Sequence, residues 1–205
     1  MSELQAFLLP LVLDIAKATI ALFIIVDPLG NIPIFISLTE SMKEKERKKV
    51  FRTATLTGFF LLLAFALAGQ WILTLFGITL PSFMIAGGLL LLIVAVRILI
   101  SGGLREYLSH PESIGAVPIA CPLLVGPGAI TTTILNLQYF GIVTTVTSVI
   151  ITFILVWLNL RFIDPIYRFL GRTGSQVIAR VMALLIASIA VQFIIEGIRH
   201  YVVLK

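Results

Sequence analysis

Charge is what this sequence has least of. Only 12% of its 205 residues are Asp, Glu, Lys or Arg, against 59% that are hydrophobic, and the mean hydropathy is +1.11. A soluble domain of this length needs a polar surface that such a composition cannot supply. Cysteine occurs once, at Cys121, so an internal disulfide is excluded and the redox compartment cannot be read from it. The amino terminus lacks the basic segment and small-residue cleavage site of a signal peptide, so Met1 is expected to be retained. No polar domain accompanies the apolar stretches, which places the expected function within the bilayer.

What the chain has in abundance is apolar windows of membrane length, each able to cross about 30 Å of hydrocarbon as a helix. The pattern predicts an all-α polytopic membrane protein, one transmembrane domain over 1–205 with six spans near 10–38, 51–75, 80–100, 114–138, 142–162 and 177–198. Gly77 and Pro81 are expected to turn the chain after the second span, and Gly141 after the fourth.

The few charges are unevenly placed. Twelve positive residues follow spans one, three and five: Lys43 to Arg52, then Arg97 and Arg105, then Arg161, Arg168, Arg172 and Arg180. Only Arg199 and Lys205 lie on the other side, with Lys17 inside the first span. The positive-inside rule therefore predicts those three loops in the cytoplasm and both termini outside. The net charge of +5 reads as this topology signal, with no nucleic-acid partner.

The sequence also repeats itself. Residues 75–96 align without gaps to 169–190, setting Gly77 on Gly171 and Thr79 on Thr173. Upstream, "VDPLGNIPIFI" from Val26 matches "VGPGAITTTI" from Val125 with one gap, setting Pro28 on Pro127. Three spans per half, about 10–100 and 114–198, would make the second half an upside-down copy of the first. Inverted repeats are a recurring plan of secondary transporters.

Each half carries breakers where a span should be continuous. Pro28, Gly30 and Pro33 are expected to open the first span at mid-membrane, and Pro118, Pro122, Gly126, Pro127 and Gly128 the fourth. New half-helices would begin near Ile32 or Pro33 and near Ala129. Their unbonded N–H groups, from Gly30 to Ile32 and from Gly128 to Ile130, would suit a carboxylate, and the carbonyls ending the preceding halves an ammonium or small cation. That chemistry fits a zwitterion.

Asp27 stands at the first break and has Gly126 as its counterpart, so the acid occurs once. It can hold a substrate ammonium or a proton, or it can cap the N–H groups freed by the break. Asn31 can line the same cavity or form a turn. Thr131, Thr132 and Thr133 can line it too, although such hydroxyls often bond the carbonyl one turn back. Asp14 and Lys17 read as a local ion pair, Gln192 and Glu196 as an interfacial pair. Ala86, Gly87 and Gly88, with Ala183 and Ala187, read as small faces for helix packing.

"DPLGNIPIF", the basic loop "KEKERKK" and "CPLLVGPGAITTTI" together resemble the MarC family of integral membrane proteins, across essentially the whole chain. That family includes the SnatA-type transporters of small neutral amino acids. The resemblance implies transport of substrates such as glycine or alanine across the cytoplasmic membrane by alternating access, coupled to a proton or sodium gradient. It requires no cofactor and leaves membrane lipids as neighbours and a homo-oligomer open. The expected substrate site comprises Asp27, Pro28, Gly30, Asn31, Ile32, Pro33, Gly126, Pro127, Gly128, Ala129, Thr131 and Thr132. The competing readings are an ion channel or an exporter of other small solutes. An intramembrane enzyme has little support: Asp27 and Asp164 both precede proline but lie at different expected depths, no GxGD or HExxH pattern occurs, and no His lies at the breaks.

Overall fold

A computed structural model describes residues 3–39, 42–101 and 124–203, and these are all helical apart from short turns. The order is α1 (Glu3–Val26), α2 (Ile32–Thr39), α3 (Glu44–Leu75), α4 (Leu80–Ser101), α5 (Pro127–Arg161) and α6 (Ile163–Val203). Five of the six are long and apolar enough to cross a membrane. The exception is the short α2. Large apolar side chains such as Trp71, Ile100 and Val143 stand exposed on the outer faces, as a lipid-facing surface requires. Pro118, Cys121, Pro122, Arg105, Lys205 and the first half of the fourth expected span lie outside the described residues.

The turns expected at Gly77 and Gly141 are present, and Gly171 adds a third that was not expected. Gly77 takes a φ of 64° between α3 and α4. Inside α5, Gly141 takes φ 79° and ψ 175°, and inside α6, Gly171 takes φ 64° and ψ −177°. A left-handed φ of this kind costs glycine nothing and strains any residue with a Cβ.

Contacts show that Gly141 reverses the chain. Before it, Gly128 packs on Leu91 and Thr131 on Gly87, while Tyr139 hydrogen-bonds Glu196 near the far end of α6 (3.5 Å). This segment therefore climbs antiparallel to α4. After it, Phe153 packs on Gly58, and Trp157 shares a cavity with Arg52 and Thr55 near the start of α3. The second segment has come back down. So α5 contains the second half of the fourth expected span and the whole of the fifth.

One end of the bundle is strongly basic, because the start of α3, the end of α5 and the start of α6 meet there. Arg47 of α3 pairs with Asp164 of α6 across that junction. Lys48 pairs with Glu44 along the helix at 2.5 Å. The other end carries the expected Asp14–Lys17 pair at 3.6 Å and the Gln192–Glu196 hydrogen bond at 2.7 Å.

The most extensive packing joins α4 to α6, which run antiparallel. A Cβ on Gly88 would meet the Ala190 carbonyl at 2.7 Å, and one on Gly197 the Pro81 carbonyl at 2.9 Å. Ala183, fully buried, packs with Ile98 further along the same seam. Small residues let the two backbones approach, as their pattern predicted. Ala86 is a correction: it is exposed and turned away from the seam. The main core cluster joins Leu22, Val26, Ile32 and Phe35 to Val125, Ala129, Val149 and Ile186, so both breaks sit inside it.

Candidate functional site

The two breaks lie at similar depth. Asn136 Nδ2 donates to the Ala18 carbonyl at 3.3 Å, which levels α1 with the climbing part of α5. From Ala18 to Val26, α1 descends roughly 12 Å at 1.5 Å per residue. Gly128 lies beside Leu91, which is roughly 16 Å into α4 on the same measure. Both positions are therefore near the middle of a hydrocarbon layer about 30 Å thick.

At the first break α1 ends at Val26 and the chain turns over residues 27–31 before α2 begins at Ile32. Asp27 takes a φ of 47°, a left-handed conformation that Asp tolerates better than most residues. Its Oδ1 accepts a hydrogen bond from the Gly30 N–H at 2.9 Å. The Asn31 N–H donates to the Asp27 carbonyl at 3.2 Å and the Ile32 N–H to the Leu29 carbonyl at 3.3 Å. These three N–H groups were expected to be open to a ligand, and they are not. The turn satisfies them internally because buried backbone donors cannot be left unpaired in an apolar setting.

The open group at this break is a side-chain atom. Asp27 is 3% exposed, and its Oδ2 is buried with no hydrogen-bond partner among the described residues. Pro28, Gly30 and Asn31 are buried around it. Gly30 has no Cβ for a reason: one placed there would lie 2.7 Å from Asp27 Cγ.

The second break is built differently. The chain passes through Leu124 and Val125, both buried, and α5 begins at Pro127, two residues before the expected Ala129. Proline at the first helical position loses no bond, since its missing N–H would be unpaired there anyway. Gly126 is the N-cap, extended at φ −89° and ψ 177°, and provides no side-chain cap. The Ile130 N–H bonds the Gly126 carbonyl at 3.2 Å, so the helix is regular from there. Gly128 and Ala129 are buried.

The three threonines are all buried. Thr132 donates to the Gly128 carbonyl and Thr133 to the Ala129 carbonyl, both at 2.8 Å. They bond one turn back, the ordinary behaviour of buried threonine in a membrane helix. Thr131 also packs against Gly87 of α4, where its Cγ2 would be 2.9 Å from an added Cβ.

One polar feature was missed in the sequence. Along the descending part of α5, Thr145, Ser148, Thr152 and Asn159 are all buried. Thr145 and Ser148 bond backbone carbonyls, while Thr152 Oγ1 and Asn159 Oδ1 have no partner among the described residues. Thr19 Oγ1 of α1 is in the same state. The signal was available: these α5 positions share one helix face, a polar stripe in an otherwise apolar span.

A family model described as "MarC family integral membrane protein" matches residues 12–202. Among curated relatives, a UPF0056 membrane protein of Archaeoglobus fulgidus is 40% identical over 193 residues, covering 89% of this chain and 91% of the relative. The UPF0056 membrane protein YhcE of Escherichia coli is 37% identical over 199 residues, covering 89% and 91%. No solved structure matches the chain. A family model spanning nearly the whole chain and relatives at this identity lead to one conclusion: the chain belongs to the MarC family of integral membrane proteins.

Proposed function

We propose that this protein is a secondary transporter of small neutral amino acids, of the glycine and alanine class, working by alternating access and coupled to a proton or sodium gradient. The observation that carries the reading is the Asp27 carboxylate, buried at mid-depth with Oδ2 unpartnered among the described residues. An acid in such a place is costly unless it serves a cation, a proton or a substrate ammonium. Oδ1 secures the turn, so Oδ2 is left to take that ligand. The first turn of α5, uncapped by any side chain, would receive the substrate carboxylate through its N–H groups. The substrate class itself comes from the resemblance to SnatA-type transporters.

Two features support an inverted-repeat frame for this cycle. Gly77 and Gly171, equivalent in the gapless alignment, share a φ of 64°. The spans that the repeat makes equivalent also pack on one another, α1 on the climbing part of α5 and α4 on α6. The basic end would face the cytoplasm, which puts both termini outside.

The test is flux in liposomes. Purified protein should accumulate labelled glycine or alanine when a proton or sodium gradient is imposed, and preloaded unlabelled substrate should accelerate uptake. Absence of any amino-acid flux would remove the function. Flux without acceleration from the opposite side would make the protein a channel.

A further inference from the structure

The basic end holds a second site, away from the breaks. A cavity of about 680 Å³ opens between α3 and α5, lined by Lys48, Arg52, Thr55, Trp157, Arg161 and Phe162 among others. Among the described residues its charge is only partly compensated. Lys48 is paired with Glu44, but among the described residues neither Arg52 nor Arg161 has a carboxylate within ion-pair distance. Arg161 is instead held over the Trp157 ring, its Cζ 5.2 Å from the centroid, and 6.0 Å from that of Phe162. Stacking of this kind fixes a guanidinium plane while leaving its N–H edge free to bind.

The cavity continues into a groove of about 300 Å³ that shares Arg52, Thr55 and Trp157 with it. The groove is walled by Leu56, Phe59, Ile150, Phe153 and Ile154, all apolar. From Arg52 to Phe59 it runs about 10 Å along α3 toward the middle of the membrane. Leu56, Ile150 and Ile154 are exposed, so the groove lies open on the lipid-facing side. Two arginines at the end of a span, followed by an apolar channel along that span, match the two halves of one molecule.

We propose that this is a binding site for an anionic phospholipid. Its phosphate would sit between Arg52 and Arg161 and one acyl chain would lie in the groove. Arginine suits this role because its planar fork pairs bidentately with phosphate oxygens. A free phosphate would satisfy the cations but leave the groove empty. A zwitterionic lipid would fill the groove but add an ammonium to a cationic cavity. The geometry favours a headgroup with net negative charge, in the way basic pockets between spans hold acidic lipids.

Native mass spectrometry of the purified full-length protein tests the proposal. With equal amounts of phosphatidylglycerol and phosphatidylcholine of the same acyl composition, the protein should retain the anionic lipid at least tenfold more. Arg52→Gln/Arg161→Gln should abolish that preference, and Arg52→Lys/Arg161→Lys should keep part of it. Ile154→Trp, which fills the groove, should lower retention of both lipids. In a parallel thermal melt, phosphatidylglycerol should raise the midpoint while inorganic phosphate at the same concentration should not. Equal retention of the two lipids by the wild-type protein would overturn the proposal, and this comparison needs no variant to fold. An equal rise with inorganic phosphate would make the cavity a free-anion site, which also overturns it.

Discussion

At the first break the chain leaves α1 through Asp27, turns over residues 27–31 and closes the turn on its own carboxylate. At the second it passes through Gly126 straight into α5 with no side chain at the cap. The glycines differ in the same way. A Cβ on Gly30 would strike Asp27, a residue of the same turn, whereas one on Gly128 would strike Leu91 of a neighbouring helix. The first break is thus shaped by local hydrogen bonding and the second by packing between helices. It follows that the first can be altered chemically with little disturbance to the fold, and the second cannot.

The strongest way to break this contrast is Gly128→Leu. An added Cβ would lie 2.6 Å from Leu91 Cγ, so the Leu91 side chain or α4 itself must shift. Overpacking of a buried contact costs about 1–3 kcal/mol, and a leucine side chain adds more bulk than a Cβ. We expect a lowered melting midpoint, loss of monodisperse protein in detergent and background flux. Leu91→Ala in the same chain should recover part of the midpoint. Wild-type stability in the single variant would mean that the second break is not held by packing.

Asp27 sharpens the other side of the comparison. Asp27→Asn keeps an oxygen for the Gly30 N–H but removes the charge. Flux driven by the ion gradient should fall to background while stability changes by no more than about 1 kcal/mol, the size of one hydrogen bond's net contribution. Asp27→Ala removes the cap as well and should cost about 0.5–2 kcal/mol. The separation of the two variants is the measurement: gradient-driven uptake against the thermal midpoint. Gradient-driven uptake in Asp27→Asn with unchanged pH and sodium dependence would reduce the carboxylate to a cap.

Much of the frame was legible because membrane helices obey strong, local rules. Apolar length predicted the spans, and Gly77 and Gly141 marked the turns since a left-handed φ selects glycine. The start of α2 at Ile32 followed from the spacing of Pro28, Gly30 and Pro33. What the residues could not convey was where each donor would find its acceptor. Asp27 was legible as either ligand or cap, and the structure makes one oxygen a cap and gives the other no partner among the described residues, a division that depends on the φ of 47°. The direction Ala86 faces depends on helix rotation, which an almost uniformly apolar span does not encode strongly.

The smallest expected effect is at Thr132, and it tests whether buried polarity near a break is enough to make a binding residue. Its hydroxyl is already committed to the Gly128 carbonyl at 2.8 Å, and the residue is 2% exposed. Valine has nearly the same shape, so Thr132→Val removes one back-bond without opening a cavity. The carbonyl it leaves also receives the helix's own hydrogen bond, so the loss should stay within about 1 kcal/mol and substrate KM within about twofold. A tenfold rise in KM at an unchanged midpoint would place this hydroxyl against substrate. In that case the second break would contribute a side chain as well as its backbone, and the two breaks would be more alike than their caps suggest.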